Sequence, residues 1–286
     1  MEQGRLKALE REYVDARAAG RRKSLLLLAV VALIFAISGI QAEVDIAKFA
    51  EHLGNFTSYL GRIALLENGQ PVVTDPGEWF WGWRGWSAEL AETLLMAYVG
   101  TLTGTIGGFL LCFLAAANLT SMNTIRFIVR RYLEFCRTVP DLVFALIFVS
   151  AFGLGPVPGV MAIAIHTTGA LGKLFAEVVE NINMNPVEGM IATGSTRIQQ
   201  IRFAVLPQVV SNFASYSLLR FEINVRSAAV IGFVGAGGIG QELLTSIRRF
   251  QYSDVSALLV MIIATVIVID LATERLRHSL LSPERT

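Results

Sequence analysis

An apolar segment at residues 209–233 carries four polar side chains that could handle an ion: Arg220, Glu222, Asn224 and Arg226. A charge at mid-membrane costs about 2.5–3.5 kcal/mol on insertion scales, so such residues face partners or water. Helical spacing would pair Glu222 with Arg226 and Arg220 with Asn224. Either the four form a neutral network that locks helices together, or Arg220 and Arg226 draw an anion through a wet path while Glu222 holds their geometry. Both interpretations can hold together.

A second polar stretch lies at residues 186–207 and is the longest polar interruption in the second half of the chain. Pro186 suits a first helical position, Gly194 offers a joint, and Pro207 is expected to bend the chain at the end. Met190, Ile191, Ile198, Ile201 and Val205 are expected to supply the apolar faces. Two short helices between membrane spans are shaped to dock on a soluble partner. A loop helix lying on the membrane is the alternative.

A glycine run from Gly235 to Gly240 matches the dinucleotide pattern G-x-G-x-x-G, but no βαβ unit surrounds it. We expect a sharp re-entry or a broken helix lining a cavity, where irregular backbone is tolerated. The glycines are Gly235, Gly237, Gly238 and Gly240. The sequence also has no Gly-x-x-x-x-Gly-Lys-Ser/Thr stretch, so this chain cannot by itself hold ATP phosphates in a P-loop.

The remaining reactive residue types do not assemble into an enzyme-like set. Cys112 and Cys136 offer no disulfide framework and no metal-ligand spacing, and His52, His166 and His278 are scattered. A membrane-embedded enzyme would need a nucleophile–base pair or a metal cluster. The net charge of +1 gives no indication of nucleic-acid binding.

The composition indicates that these groups lie on membrane helices. The chain is 53% hydrophobic and 16% charged, against about 25% charged in soluble domains. We therefore predict an all-α polytopic membrane protein with about six transmembrane helices.

The third span is short, and its start is expected to extend back through residues 137–141. The first span could pass for a signal peptide, but no small-x-small cleavage site follows it. The predicted spans are residues 24–40, 90–117, 142–152, 160–179, 209–233 and 255–272.

Positive charge predicts the orientation. The tail at residues 1–23 has seven Lys/Arg residues, and the loop before the third span has four. The long loop at residues 42–87 has only Lys48, Arg62 and Arg84. Arg248 and Arg249, after the fifth span, are the one exception, because this topology places them outside. Both termini and the 186–207 stretch are thus expected in the cytoplasm.

The long loop contains two further patterns. Apolar residues recur at spacings of three and four from Ile46 to Ile63, which predicts an amphipathic helix along the membrane surface or on the bundle. All four tryptophans lie between Trp79 and Trp86, which marks a membrane–water interface. A docking patch for an external partner, or an aromatic cage, is the alternative.

The second span contains small residues at helical spacing, including Gly100, Gly104, Gly107 and Gly108. Such residues allow helices to approach closely. We favour bundle packing over a role in substrate contact for this stripe.

The 186–207 stretch resembles the coupling loop of ABC importer permeases. The family pattern is Glu-Ala-Ala, three residues, Gly, nine residues, then Ile-x-Leu-Pro. The matching positions are Glu188, Gly194, Leu206 and Pro207. The departures are Gly189, Met190 and Ala204.

A longer match runs from Leu219 to Gln241 and, with residues 137–143 and 192–195, resembles permeases of the phosphonate importer family. The resemblance covers about residues 88–281. Methionine permeases share parts of the glycine segment, so methionine or another small solute is the alternative substrate. An ion-coupled secondary transporter is the rival class, but it often shows an inverted repeat, and no convincing repeat is present.

The resemblance implies a type I ABC importer permease in the cell (inner) membrane that is not itself an enzyme. It implies a homodimer, two cytoplasmic ATPase subunits that hold ATP and Mg, and an extracytoplasmic binding protein. The substrate would be a small anion, namely phosphonate, phosphite or phosphate, and no cofactor would reside in this chain. The residues that couple to the ATPase would be Glu188, Gly194, Leu206 and Pro207.

These inferences divide the chain into five parts. They are a basic tail (1–23), a first transmembrane helix (24–41), an extracytoplasmic loop (42–87), the permease domain (88–281) with its coupling loop (186–207), and a short tail (282–286).

Overall fold

Helices make up nearly all of the computed structural model, which describes residues 2–42, 46–120 and 122–281. Over those residues no strand forms, and a single bridge joins Leu65 to Pro71. The all-α prediction is confirmed. In chain order the helices are α1 (Glu2–Gln41), α2 (Ile46–Ile63), α3 (Pro76–Trp79), α4 (Trp83–Ala115), α5 (Asn123–Thr138), α6 (Asp141–Phe152), α7 (Pro156–Glu180), α8 (Asn185–Ala192), α9 (Arg197–Gln200), α10 (Leu206–Ile231), α11 (Gly238–Arg248) and α12 (Tyr252–Leu281).

Four helical segments are long and apolar enough to cross a membrane. They are Gly20–Gln41, Trp83–Ala115, Pro156–Glu180 and Tyr252–Ser279. Two bent pairs raise the number to six if each pair is one span. One pair joins α5 to α6, and the other joins the helical run Arg197–Val234 to α11 through a bend of 46°.

The third span differs from the prediction. Residues 137–141 do not extend α6 backwards, because the chain turns by 86° between α5 and α6. Pro140 disfavours helical backbone at the preceding residue, and Val139 is extended (φ −74°, ψ 123°). The α5 helix has one apolar face and carries several arginines, so it differs in character from the apolar α6.

The chain divides into two compact units, residues 1–60 and 61–286. In the first unit, the predicted basic tail and first span form one continuous helix, α1. The predicted amphipathic helix of the long loop is present as α2. Its side chains Phe49, Leu53 and Phe56 are exposed. The predicted tail at residues 282–286 lies outside the described residues.

Close contact between α4 and α7 organises the second unit. A Cβ built on Gly100 would lie 2.7 Å from a methyl carbon of Ile163, and one on Gly104 would lie 2.6 Å from Cβ of Thr167. A Cβ on Gly108 would lie 2.8 Å from the backbone nitrogen of Gly172. The glycines recur every four residues and form one stripe on α4. The predicted packing role of these glycines is confirmed.

The tryptophan loop is fastened to the start of α12. Trp79 donates from its indole nitrogen to Ser256 (2.9 Å), and Trp81 donates to Asp254 (3.0 Å). Trp86 is buried in a cluster with Ile239 and other residues of α11 and α12. At least three of the four tryptophans therefore have a structural role in holding the loop to the bundle.

The glycine stripe yields a stability prediction. Gly104→Ala places a methyl group against Thr167 and the backbone oxygen of Ala164, and we expect a loss of about 1–3 kcal/mol from overpacking. Gly85→Ala is the control, because it lies on the same helix with no atom within 4 Å of its Cβ position. Thermal unfolding of the detergent-solubilised protein should show a lower Tm for the first variant only. Equal Tm values for both variants would contradict the packing role.

Candidate functional site

The 186–207 stretch has the predicted joint at Gly194 between α8 and α9, but the second helix is not short, because α9 continues without a break into α10. Gly194 has left-handed backbone (φ 77°), and Ser195 closes the joint by donating from its backbone nitrogen and its hydroxyl to the carbonyl of Met190 (3.2 and 2.6 Å). Thr196 and Gln199 then form a capping box that starts α9. Local turn chemistry therefore fixes the angle between the two helices.

One face of this loop packs against the core of the second unit, and the other face is exposed. Val187 is 1% exposed, and it belongs to a core cluster with Ala204 and Val205. Ile191 and Ile198 were expected to supply apolar faces, and the structure shows that both side chains are exposed, Ile198 at 78%. Their outward position makes an exposed apolar patch beside the exposed Glu188 and Gly194. We call the four residues Glu188, Ile191, Gly194 and Ile198 the docking face.

Pro207 does not bend the chain, contrary to the sequence prediction. The helical run continues through a π-helix at Ile201–Val205 into α10. A proline ring clashes with the carbonyl four residues back in regular α-helix. The π turn changes that register, since the nitrogen of Leu206 donates to the carbonyl of Ile201, five residues back.

A side-chain link ties the start of α10 to the end of α7. Gln208 donates to the carbonyls of Ala204 (2.7 Å) and Asn183 (3.2 Å), and its amide oxygen accepts from the nitrogen of Asn183 (3.1 Å). The coupling loop thus lies between two points that this glutamine holds together. Sequence reasoning missed Gln208, because its partner lies 25 residues away.

The four polar residues of α10 divide between opposite faces of the helix. Glu222 and Arg226 form the predicted i,i+4 ion pair. Arg226 also lies 3.7 Å from a carboxylate oxygen of Asp270 on α12, and Thr273 donates to Glu222 (3.5 Å). This group joins α10 to α12, and its arginine has two carboxylate neighbours.

The other face of α10 contacts α4 and α7. Asn224 is 1% exposed and donates to the hydroxyls of Thr101 and Thr167, both at 2.8 Å. The predicted pairing of Arg220 with Asn224 is therefore wrong. Arg220 instead makes a hydrogen bond with His166 on α7. The glycine stripe brings the two threonines within reach of the asparagine, which spacing along one helix could not reveal.

The glycine segment breaks the helix between α10 and α11. Gly237 has φ 83°, and a Cβ on Gly240 would lie 1.8 Å from the carbonyl of Ala229, so α11 folds back closely on α10. The predicted positions Gly235 and Gly238 also have positive φ. The nitrogen of Ile239 donates to Thr93 on α4 (2.9 Å), which secures the turn to the bundle.

A further ionic contact joins the ends of α4, α5 and α7. Arg130 pairs with Glu180 and donates from Nε to the carbonyl of Ala115 (2.9 Å). Glu180 also accepts from the nitrogen of Ala117 (2.6 Å). In the sequence, Arg130 was used only to predict orientation. The ion pair was missed, because Glu180 lies 50 residues away.

The candidate membrane spans and the exposed loop at residues 186–207 are those expected of a membrane-embedded transport subunit. The chain matches the model of the family described as binding-protein-dependent transport system inner membrane component over residues 83–281. It belongs to that family. It is a translocation subunit of an importer rather than an enzyme, and membership implies an ATPase and a substrate-binding protein as partners.

Two curated relatives are similar over most of this chain. The phosphite transport system permease protein PtxC of Stutzerimonas stutzeri is 41% identical over 219 residues, which cover 74% of this chain and 80% of the relative. The phosphate-import permease protein PhnE of Mycolicibacterium smegmatis is 40% identical over 195 residues, which cover 68% of this chain and 37% of the relative.

The fold is also similar to that of a solved transporter. An inward-facing structure of the MetNI methionine ABC transporter gives a TM-score of 0.58 at 18% identity, covering 68% of this chain and 95% of that chain. At this identity the likeness concerns the fold alone. It agrees with the predicted type I importer architecture.

The left-handed joint yields a functional prediction. Gly194→Ala should cost about 1 kcal/mol in the folded loop, because an L-residue is strained at φ 77°, and should slow ATP-driven transport. Gly194→Asn should be milder, because asparagine tolerates left-handed backbone. Gly189→Ala is the control, since Gly189 is helical, exposed and free of contacts at its Cβ position.

These three variants are compared by initial transport rates in proteoliposomes at equal complex concentration. The expected order is Gly189→Ala fastest, then Gly194→Asn, then Gly194→Ala. A Gly194→Ala rate equal to that of Gly189→Ala would show that the joint conformation does not matter.

Proposed function

We propose that this chain is the permease of an ATP-driven importer for a phosphorus oxyanion, meaning phosphonate, phosphite or phosphate. One observation carries the substrate assignment. Two relatives named for phosphite transport and for phosphate import are each about equally similar to this chain, at 41% and 40% identity. The substrates in both names, phosphite and phosphate, are tetrahedral phosphorus oxyanions, so we assign that chemical class to the substrate of this chain.

The partners follow from the same assignment. Two copies of this chain form the pathway, two cytoplasmic ATPase subunits bind ATP and Mg, and a binding protein delivers substrate from outside. Glu188 and Gly194 belong to the docking face that enters the ATPase. Leu206 and Pro207 set the link to α10 through the π turn. The exposed Ile191 and Ile198 support a docking role, because apolar side chains at an interface are desolvated on binding.

Orientation is proposed from charge. The coupling loop and both termini face the cytoplasm, and the tryptophan loop faces outside. The amphipathic α5 helix supports this arrangement, since its basic residues Arg126, Arg130 and Arg131 would lie on the cytoplasmic side.

Transport then requires two states that different ligands favour. ATP bound between the ATPase subunits favours one arrangement of the docking faces, and a loaded binding protein favours one arrangement of the outer surface. The Gln208–Asn183 link and the π turn carry the displacement of the loop to α7 and α10. Along the pathway, binding must be weak enough for release.

Within the segment proposed as an anion path, the two arginines differ. Arg226 lies between Glu222 and Asp270, so its charge is already balanced, and Asn224 is enclosed by threonines. Glu222 and Asn224 therefore act by holding α10 against α12, α4 and α7. Arg220 is the member of the group that we propose for direct contact with the anion.

The substrate class is tested by ATPase activity of the complete complex in proteoliposomes. We expect stimulation when the binding protein is loaded with phosphite, phosphate or methylphosphonate, because loading favours the closed, hydrolysing state. The unloaded binding protein and a methionine-loaded preparation are the controls. Stimulation by methionine alone would retain the importer class and refute the oxyanion assignment.

A further inference from the structure

His166 and Arg220 meet between α7 and α10. A nitrogen of the Arg220 guanidinium makes a hydrogen bond with Nδ1 of His166. A guanidinium has only donors, so Nδ1 must accept and the ring proton must lie on Nε2. The backbone of Arg137 at the end of α5 lies near the ring. The histidine thus lies between the end of α5 and the arginine.

The close approach of α5 fixes the position of that histidine. A Cβ on Gly169 would lie 2.6 Å from the nitrogen of Arg137 and 2.7 Å from Cβ of Cys136. Any larger residue at 169 would push the end of α5 away from α7. Because Gly169 lies one turn after His166, it keeps the backbone of Arg137 within reach of the ring.

Arg220 retains hydrogen-bonding capacity in this position. Its side chain is partly buried, and its Nε is buried without a partner. In the part of the chain that the structure describes, it forms no ion pair, whereas Arg226 on the same helix pairs with Glu222. Asp141 acts on it electrostatically from the start of α6, where it accepts from the nitrogen of Leu142 (2.9 Å).

We propose that Arg220 is the contact for the substrate oxyanion inside the permease and that His166 is its positioning residue. This inference rests on the proposed function. With one nitrogen held by His166, the guanidinium has further N–H groups for the oxygens of a phosphorus oxyanion, which arginine can bind through paired donors. The close contact of Gly169 with the end of α5 makes this site sensitive to the turn between α5 and α6, so anion contact and helix arrangement are linked.

The test measures anion binding to the complete transporter in nanodiscs, without nucleotide or binding protein. Methylphosphonate is the probe, and its ³¹P line broadening gives the affinity. Loss of a charge-assisted contact should weaken binding about tenfold or more in Arg220→Gln, and less in Arg220→Lys, which keeps the charge but not the fork. Arg131→Gln is the control, since Arg131 is exposed on α5 and pairs locally with Glu134.

The role of His166 is tested by two replacements. His166→Asn keeps an acceptor near the position of Nδ1 and should retain most of the affinity, while His166→Leu should lose it. Thermal stability is measured in parallel, because a merely structural residue would lower Tm and affinity together. Loss of affinity in His166→Leu at similar Tm, with rescue by asparagine, supports the positioning role.

The outcomes separate this inference from the proposed function. If the wild type transports phosphite and Arg220→Gln binds methylphosphonate as tightly as Arg131→Gln does, the site is refuted and the function stands. If the wild-type transporter carries another solute and no phosphorus oxyanion, the function itself is refuted. If Arg220→Gln does not fold, the methylphosphonate affinities of Arg220→Lys and His166→Leu replace it as the test. Wild-type affinity in both variants would refute the proposed anion site.

Discussion

The contact between α4 and α7 is the interaction on which the rest of this structure depends. Lipid gives little hydrophobic drive for helices to associate, so close packing and polar links must hold a bundle together. The glycine stripe brings α4 and α7 together, and this places Thr101 beside Thr167. Asn224 can then join α10 to both helices through two hydrogen bonds. A second glycine contact, at Gly169, brings α5 to the same helix. The α7 helix therefore connects the bundle core, the α5–α6 turn and the face of α10 that carries Arg220 and Asn224.

The same helices lead to the coupling loop. The loop begins just after α7 and ends at α10, and Gln208 on α10 joins its two ends through hydrogen bonds with the backbone of Asn183. A loop held at its base transmits a displacement as a rigid piece, whereas a loose loop would absorb it. The π turn at Ile201–Val205 accommodates Pro207 without interrupting the helical run. Ile198 of the docking face and the membrane helix α10 thus lie on one continuous helical run.

Local patterns predicted the features that depend on neighbouring residues. Hydropathy located the spans, and turn chemistry around Gly194 predicted both helices of the coupling loop. Features that depend on distant partners were missed: Arg220 was paired along its own helix, whereas its partner is on α7. The bend before α6 was missed although Pro140 marks it, because the apolar run was extended back through that proline. The exposure of Ile191 and Ile198 was not predicted, because amphipathic spacing defines an apolar face without showing whether that face is packed or exposed.

The central claim is that residues 186–207 seat this permease on a separate ATPase. The most direct measurement is cross-linking from Ile198→Cys, a position that is 78% exposed, while the native cysteines are buried. Ile267→Cys on α12 is the control, since it is exposed on a membrane helix. A short bis-maleimide should join Ile198→Cys to the ATPase subunit in the assembled complex and should not join Ile267→Cys to it. An active complex in which the loop cysteine labels fully but never cross-links to the ATPase would contradict the account.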